Sequence, residues 1–386
     1  MKVTYILPIS WGGIPHYTAE LANAVSKYTD VKVIKPVDSN DDLFSSNLEV
    51  INGFKPMYFR RDKPIKTFSL KNMKNFLSYK NLQIVNEMKP DIIHFPELYF
   101  NASFFAKLYR LDKKYPTICT LHTISESLII PPAKSGYAMS FISFISRFMK
   151  RLIQCDKIIV HTQRNKDTLI KIGVNQEKIA VIPHGAYSFF KKYEKDHEDD
   201  KENCVLLFGY DPEQKGAEYL IKAIPTVSKE ISDIKVIIAG EGKLLKSYDL
   251  ISDKSRFEIY NKFIPNEKVP ELFQRAKIVV LPYLDHGGHS GVLTVAFSFG
   301  KPVVVTNVGD FPNLVTNNKE GIIVPPRDSN ALAEAIIKLL KNEELRKQMG
   351  ENAHKKAQEL SWDNIAKMHM KIYEEVLNER GKRNKD

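Results

Sequence analysis

The chain has 386 residues, 43% of them hydrophobic and 27% charged, which excludes a wholly disordered chain, a collagen and a disulfide mini-protein and leaves room for two domains. Its net charge of +11 is one-sided: residues 1–190 carry 26 Lys and Arg against 15 Asp and Glu, whereas residues 191–386 carry 31 of each. No apolar run approaches the roughly 20 residues of a bilayer span, and Met1–Pro8 is too short in its apolar part for a secretory signal.

In chain order, short β-rich runs alternate with longer helical patterns. Val3–Pro8, Val31–Lys35, Ile92–Phe95, Thr117–Leu121, Lys157–His161 and Ile179–Ile182 read as strands, with helices at Tyr17–Tyr28, Leu70–Lys89 and Asn165–Ile172. The alternation predicts right-handed βαβ units on a parallel sheet. Residues 190–203 are almost wholly polar and read as a linker. A second series follows, with strands at Cys204–Phe208, Lys235–Ala239, Phe257–Tyr260, Ile278–Leu281, Pro302–Thr306 and Gly321–Val324. Its helices are Ala217–Ile231, Val269–Arg275, Val292–Phe299 and Asn330–Leu340. Trp362–Asn378 is amphipathic with no strand after it and is expected to dock across one domain or both. The domain reading is 1–189, a linker 190–203, a second domain 204–361, and a C-terminal helix and tail 362–386. The cysteines Cys119, Cys155 and Cys204 lack metal-ligand spacing and read as buried thiols of a reducing, cytoplasmic compartment.

Open parallel sheets bind ligands beyond the carboxyl ends of their strands. The chemistry is therefore expected in loops that follow strands, in the cleft between the two domains. After the first strand, Gly12 and Gly13 let the backbone approach a ligand, and the next helix offers its N-terminus to an anion. A plain tight turn reads the same way, and a histidine such as His16 beside it is more often structural than functional. After the fourth strand, His122 leaves a buried run toward the cleft. In the second half, Lys215 before Gly216 at a helix start, following Gly209, suits a phosphate. Glu241 lies between two glycines after the next strand. The densest loop, Leu281–Val292, holds His286, His289, Ser290 and three glycines ahead of an apolar helix, the makings of an anion cradle. Its histidines have no carboxylate or histidine companions at ligand spacing, so no metal is expected.

Taken together, these motifs resemble glycosyltransferase family 4, the retaining enzymes of GT-B fold that use nucleotide-diphosphate sugars. Gly12-Gly13 with Glu20-Leu21 looks like the family's first loop and helix. Asp91–His94 and Thr120-Leu121-His122 match its acceptor-facing strand ends. Asp156–His161, Val181–Gly185, Lys215-Gly216, Gly240-Glu241-Gly242, Val269–Phe273 and Ala296 through Gly300–Val304 follow in family order. Two departures stand out. Tyr210 occupies the place of a common Arg, and Gly287 and Val295 stand where the family commonly has two glutamates, so the chain resembles a subgroup whose loop reads Ser290-Gly291-Val292.

The resemblance implies an α/β, GT-B chain of two tandem Rossmann-like domains with the active site in the cleft between them. It implies transfer from a nucleotide-sugar donor to a glycan or lipid-linked acceptor with retention, in cell-surface polysaccharide or glycolipid biosynthesis. His122 and Lys215 would be catalytic. Gly12, Gly13, Gly209, Lys215, Gly216, Glu241, His289, Ser290, Gly291, Val292 and Thr294 would bind the donor, and His16 and His122 would face the acceptor. No cofactor and no divalent metal are expected, since Lys215 and helix dipoles neutralise the phosphates. The missing glutamates keep a catalytically silent GT-B partner subunit open, and a nucleotide-sugar epimerase or a phosphorylase shares the two-domain plan.

The segment 55–89 has nine Lys and Arg against Asp62 and Glu87, which suggests an anionic membrane surface on the inner face of the cell membrane; a solvated face gives the same composition. Residues 140–153 put Phe141, Ile145, Phe148 and Leu152 on one stripe, as in an interfacial helix or a helix packed on a sheet. No nucleic-acid partner is expected, for want of an aromatic-rich basic motif.

Overall fold

The computed structural model describes residues 1–10, 12–39, 41–55, 70–122, 155–187, 189–194, 202–242, 245–285 and 290–383. The stretch 140–153, the basic residues Arg60, Arg61, Lys63 and Lys66, and the loop residues His286 to His289 lie outside the described residues. The chain divides into two compact units, Met1–His184 with Trp362–Asp386, and Gly185–Ser361.

The first unit holds a seven-stranded sheet of β1 (Lys2–Ile6), β2 (Asp30–Pro36), β3 (Glu49–Phe54), β4 (Ile92–Phe95), β5 (Thr117–Leu121), β6 (Lys157–Val160) and β7 (Ile179–Val181). The order is β3-β2-β1-β4-β5-β6-β7 and every pairing is parallel. Its helices include α1 (Gly13–Val25), α2 (Leu70–Ser78), α3 (Phe100–Leu108) and α4 (Gln163–Lys171). The second unit holds β8 (Cys204–Phe208), β9 (Lys235–Ala239), β10 (Phe257–Tyr260), β11 (Ile278–Leu281), β12 (Val303–Thr306) and β13 (Gly321–Val324), ordered β10-β9-β8-β11-β12-β13, again all parallel. Its helices include α5 (Ala217–Glu230), α6 (Val269–Arg275), α7 (Gly291–Ser298), α8 (Ser329–Lys341) and α9 (Glu343–Glu359). α10 (Trp362–Arg383) returns to the first unit.

Parallel strands covered on both faces need apolar side chains at every position. β11 meets that demand with Ile278, Val279, Val280 and Leu281, all fully buried. Leu220, Ile221, Ile224 and Val227 of α5 recur at helical spacing and join Val205, Val236 and Val280 in one core cluster. In both sheets the order reverses beside the first strand, between β1 and β4 and between β8 and β11. A doubly wound sheet opens its ligand crevice at such a switch point.

Four sequence expectations change. Strand β3 was not among the predicted elements, because Glu49, Asn52 and Gly53 interrupt its apolar residues and it sits at the sheet edge. The helix expected over Leu70–Lys89 is α2 followed by a 3-10 stretch at Tyr79–Ile84 and a helical turn at Val85–Met88. The first unit ends at His184 rather than 189. Tyr187 and Phe190 are buried in the second unit, and the Ala186 N–H donates to the Leu360 carbonyl at 2.8 Å, so apolar anchors override the polar look of the linker. Cys119 and Cys155 form a disulfide, and Cys204 alone is a buried free thiol. β5 and β6 are paired neighbours, which brings together two sulfurs separated by 36 residues.

The C-terminal helix α10 docks on the first unit through polar groups. The Tyr373 hydroxyl lies 2.8 Å from that of Tyr5 and 2.7 Å from His94 Nδ1, and Arg380 meets the Asp156 carboxylate at 3.1 Å. Among the described residues no helix is long and apolar enough to cross a membrane.

Candidate donor and acceptor half-sites

At the switch point of the second sheet, three loops close on one another backbone to backbone. Gly240, with φ +152°, follows β9, and a Cβ there would overlap the carbonyl oxygen of Gly209. Gly209, with φ +130°, follows β8 and would carry a Cβ 3.4 Å from Val292 at the start of α7. The Asp211 N–H donates to the Glu241 carbonyl at 2.8 Å, while the Glu241 side chain is exposed. Gly216, with φ +81°, precedes α5, and a Cβ there would overlap the Pro282 carbonyl in the loop after β11.

Lys215 is held in this crossing. Its Nζ lies 4.0 Å from the centre of the Tyr283 ring, and the Tyr283 hydroxyl is 3.2 Å from Ser290 Oγ, the residue that precedes α7. Tyr283 is fixed in turn by its carbonyl, which accepts the Thr306 hydroxyl at 2.7 Å. One buried ring therefore joins the cation to the helix N-terminus. The first N–H groups of α7 lack intrahelical acceptors, and the helix dipole puts partial positive charge on them. Lys215, Gly209, Gly216, Ser290, Gly291 and Val292 are thus brought together. Thr294 is fully buried and donates its hydroxyl to the Gly291 carbonyl at 2.9 Å, which braces the first turn of α7. His289 lies outside the described residues. Gly291 faces Tyr187: a Cβ would come within 2.8 Å of its ring. Gly291→Val is therefore expected to displace Tyr187, crowd the cradle and abolish binding of a nucleoside diphosphate. Ser290→Ala should cost about 0.5–1.5 kcal/mol, one neutral hydrogen bond. Isothermal titration with a nucleoside diphosphate ranks the two, and the reverse order would remove α7 from the site.

In the first unit, Gly12 takes φ +77° ahead of α1, where glycine meets no strain, and Gly13 opens the helix. Both are exposed, and His16 is half-buried in the first turn. His122, at the end of β5, is less available than its position suggests. Its Nε2 lies 2.9 Å from the Pro96 carbonyl and its Nδ1 3.0 Å from His161 Nε2, while His161 Nδ1 lies 3.0 Å from the Ile182 carbonyl. Carbonyls only accept, so the neutral rings carry their protons on His122 Nε2 and His161 Nδ1, and two bare nitrogens face each other. That gap can hold one proton between both rings. Burial holds His122 well below the usual imidazole range and His161 down to about 4. Tyr17, Trp362 and His184 pack around the pair.

Glu97 stands beside them, in the loop after β4 at the switch point. Sequence reasoning missed it, as it missed Tyr17 and Tyr283. Burial pushes the Glu97 carboxyl up to about 7, opposed by the N–H groups of Leu98 at 3.0 Å and His122 at 3.4 Å. A carboxyl whose folded pKa is raised stabilises the fold below its unfolded value of 4.5, and the contribution is lost as pH rises through about 7. The His161 contribution has the opposite sign, present above 6.5 and lost as pH falls through about 4. Glu97→Gln fixes the neutral form. Its melting temperature should gain on the parent's between about pH 5 and pH 8, by the equivalent of roughly 1–2 kcal/mol. A constant difference across that range would mark an ordinary solvated carboxylate.

Two Rossmann-like units, each a parallel sheet with a switch point beside its first strand, are the architecture of the GT-B fold. Residues 189–356 match the family Glycosyl transferases group 1, and residues 11–186 match Glycosyltransferase Family 4. The chain belongs to glycosyltransferase family 4. An uncharacterised glycosyltransferase of Methanocaldococcus jannaschii is 28% identical over 74% of this chain and 76% of its own. The Campylobacter jejuni GalNAc-alpha-(1->4)-GalNAc-alpha-(1->3)-diNAcBac-PP-undecaprenol alpha-1,4-N-acetyl-D-galactosaminyltransferase is 24% identical over 98% and 99%. In fold, the chain is similar to the Anabaena protein HepE in complex with UDP-glucose, with TM-score 0.72 and 17% identity over 98% of this chain and 100% of that one.

Proposed function

We propose that the chain transfers a sugar from a nucleotide-diphosphate sugar to a glycan or lipid-linked acceptor, with retention at the anomeric carbon, in cell-surface polysaccharide or glycolipid biosynthesis. The observation that carries this reading is the convergence of Lys215, Tyr283 and the α7 N-terminus at one switch point. As the bond from the sugar to the β-phosphate breaks, charge develops on the leaving diphosphate. The Lys215 ammonium and the first-turn N–H groups of α7 stabilise it. With the chain supplying that charge, the reaction requires no divalent ion.

Retention follows a front-face course in this reading. The acceptor hydroxyl attacks on the face the diphosphate leaves, and its proton passes to the departing phosphate. Helix α7 carries no carboxylate to act as nucleophile, and Val295 is buried within it. In the first unit, Glu97 would orient the acceptor hydroxyl, with the His122–His161 pair held behind it by the Pro96 and Ile182 carbonyls. A lipid-linked acceptor is supported by the full-length similarity to the Campylobacter enzyme, whose name specifies an undecaprenol-linked glycan. The charge at 55–89 favours attachment to an anionic membrane surface.

The test is a thermal-shift screen of nucleotide-diphosphate sugars, followed by transfer to an undecaprenyl-diphosphate glycan and NMR of the new anomeric linkage. A melting point that no nucleotide sugar raises, or an inverted linkage, overturns the reading. Donor binding without turnover on any acceptor would instead favour a silent partner subunit, the alternative to which the valine at position 295 points.

A further inference from the structure

Helix α2 (Leu70–Ser78) is turned inside out. Its buried residues include Asn72 and Asn75, 6% and 5% exposed, whereas Leu70, Met73 and Leu77 are 78%, 56% and 57% exposed. At 3.6 residues per turn, the three apolar side chains share a sector of about 60°, bordered by Lys74 and then Lys71, with the asparagines opposite. Both lysines are exposed. Scattered exposed leucines are ordinary, but three aligned on one short helix form a patch, and such patches mark contact surfaces. The orientation is fixed from behind. The Phe76 ring packs 5.5 Å and 5.2 Å from Phe104 and Phe105, and Ser78 Oγ donates to the Asn75 carbonyl at 2.6 Å while accepting the Lys55 N–H at 2.8 Å.

We propose that this face of α2 is a lipid-contacting face, with Leu70, Met73 and Leu77 entering the headgroup region of an anionic membrane while Lys71 and Lys74 pair with its phosphates. Charge selects the occupant. From Leu70 to Asn86 the chain has three lysines, Lys71, Lys74 and Lys80, and no acidic residue. An apolar stripe edged by lysines is the arrangement of helices that lie in a membrane interface. An interface with protein would be expected to set carboxylates against such lysines or shed them, since lysine is depleted at protein–protein contacts. The inference rests on the membrane part of the proposed function and not on sugar transfer.

The test uses the full chain with vesicles of phosphatidylglycerol and phosphatidylcholine, and with phosphatidylcholine alone. A triple variant, Leu70→Ser with Met73→Ser and Leu77→Ser, should bind anionic vesicles about a hundredfold more weakly. Its melting point and its shift with nucleotide sugar should be unchanged, because the three side chains are exposed. Lys71→Gln with Lys74→Gln should weaken binding roughly 25-fold at low salt and little at high salt. Met73→Trp should show a blue-shifted emission with anionic vesicles only. Binding of the triple variant equal to the parent's overturns the α2 assignment and leaves attachment by charge alone. A parent that ignores anionic vesicles at every salt overturns both. A concentration-dependent dimer that the triple variant abolishes overturns the α2 assignment, because a second copy is then the occupant. Failure of donor binding would sink the transfer reading without touching this one.

Discussion

Gly216→Ala is expected to destabilise the second unit by about 3 kcal/mol or more and to lower its melting temperature by roughly 10 °C. Two costs add. The residue holds φ +81° immediately before α5, a left-handed conformation that costs a residue with a Cβ about 1–2 kcal/mol. The new methyl would also overlap the Pro282 carbonyl, a backbone group that cannot rotate away as a side-chain tip would. Relief requires α5 and the loop after β11 to separate, and that loop carries Tyr283. Donor binding should therefore fall together with stability. The control is Gly173→Ala, which shares a positive φ, +89°, but meets no atom within 4 Å. It should cost only the conformational share. Equal losses at the two positions would mean that the Pro282 contact adds nothing.

How far the sequence carries can be judged at particular residues. The strand–helix alternation is legible because doubly covered parallel strands must be apolar throughout, as β11 is. β3 is not legible, since an edge strand tolerates Asn52 and Gly53. Lys215, Gly216 and Gly291 are legible because glycines before helices have a local meaning. Glu97 has none: a single glutamate after a proline gains significance only from the reversal of strand order between β1 and β4. Tyr283 likewise acts across distance, joining Lys215 to Ser290. The pattern Leu70, Met73, Leu77 announces an amphipathic helix, but periodicity does not say which face is inward. Phe76 and Ser78 decide that through contacts with Phe104, Phe105 and Lys55. His122 shows the converse. Its place at a strand end suggested a group free to meet substrate, whereas the Pro96 carbonyl and His161 take both its nitrogens.

Lys215→Ala, one residue before the glycine that secures the fold, should leave the fold nearly intact and remove affinity. The side chain is half-buried and its visible partner is the Tyr283 ring. A cation–π contact in such a setting is worth about 0.5–1 kcal/mol, so the melting point should drop by only a few degrees. A charge-assisted contact to a diphosphate is worth roughly 1.5–3 kcal/mol, so the dissociation constant for a nucleoside diphosphate should rise between about tenfold and 150-fold. Lys215→Arg separates charge from shape. The guanidinium keeps the charge and stacks on Tyr283, but its planar fork does not reproduce a compact ammonium, so affinity should recover in part. Transfer rate should fall further than affinity if the lysine meets charge that grows as the glycosidic bond breaks, because an interaction stronger in the transition state than in the ground state appears in kcat. A weaker affinity with kcat unchanged would make Lys215 a binding residue only. A variant that binds and turns over donor like the parent would move the diphosphate away from this switch point altogether.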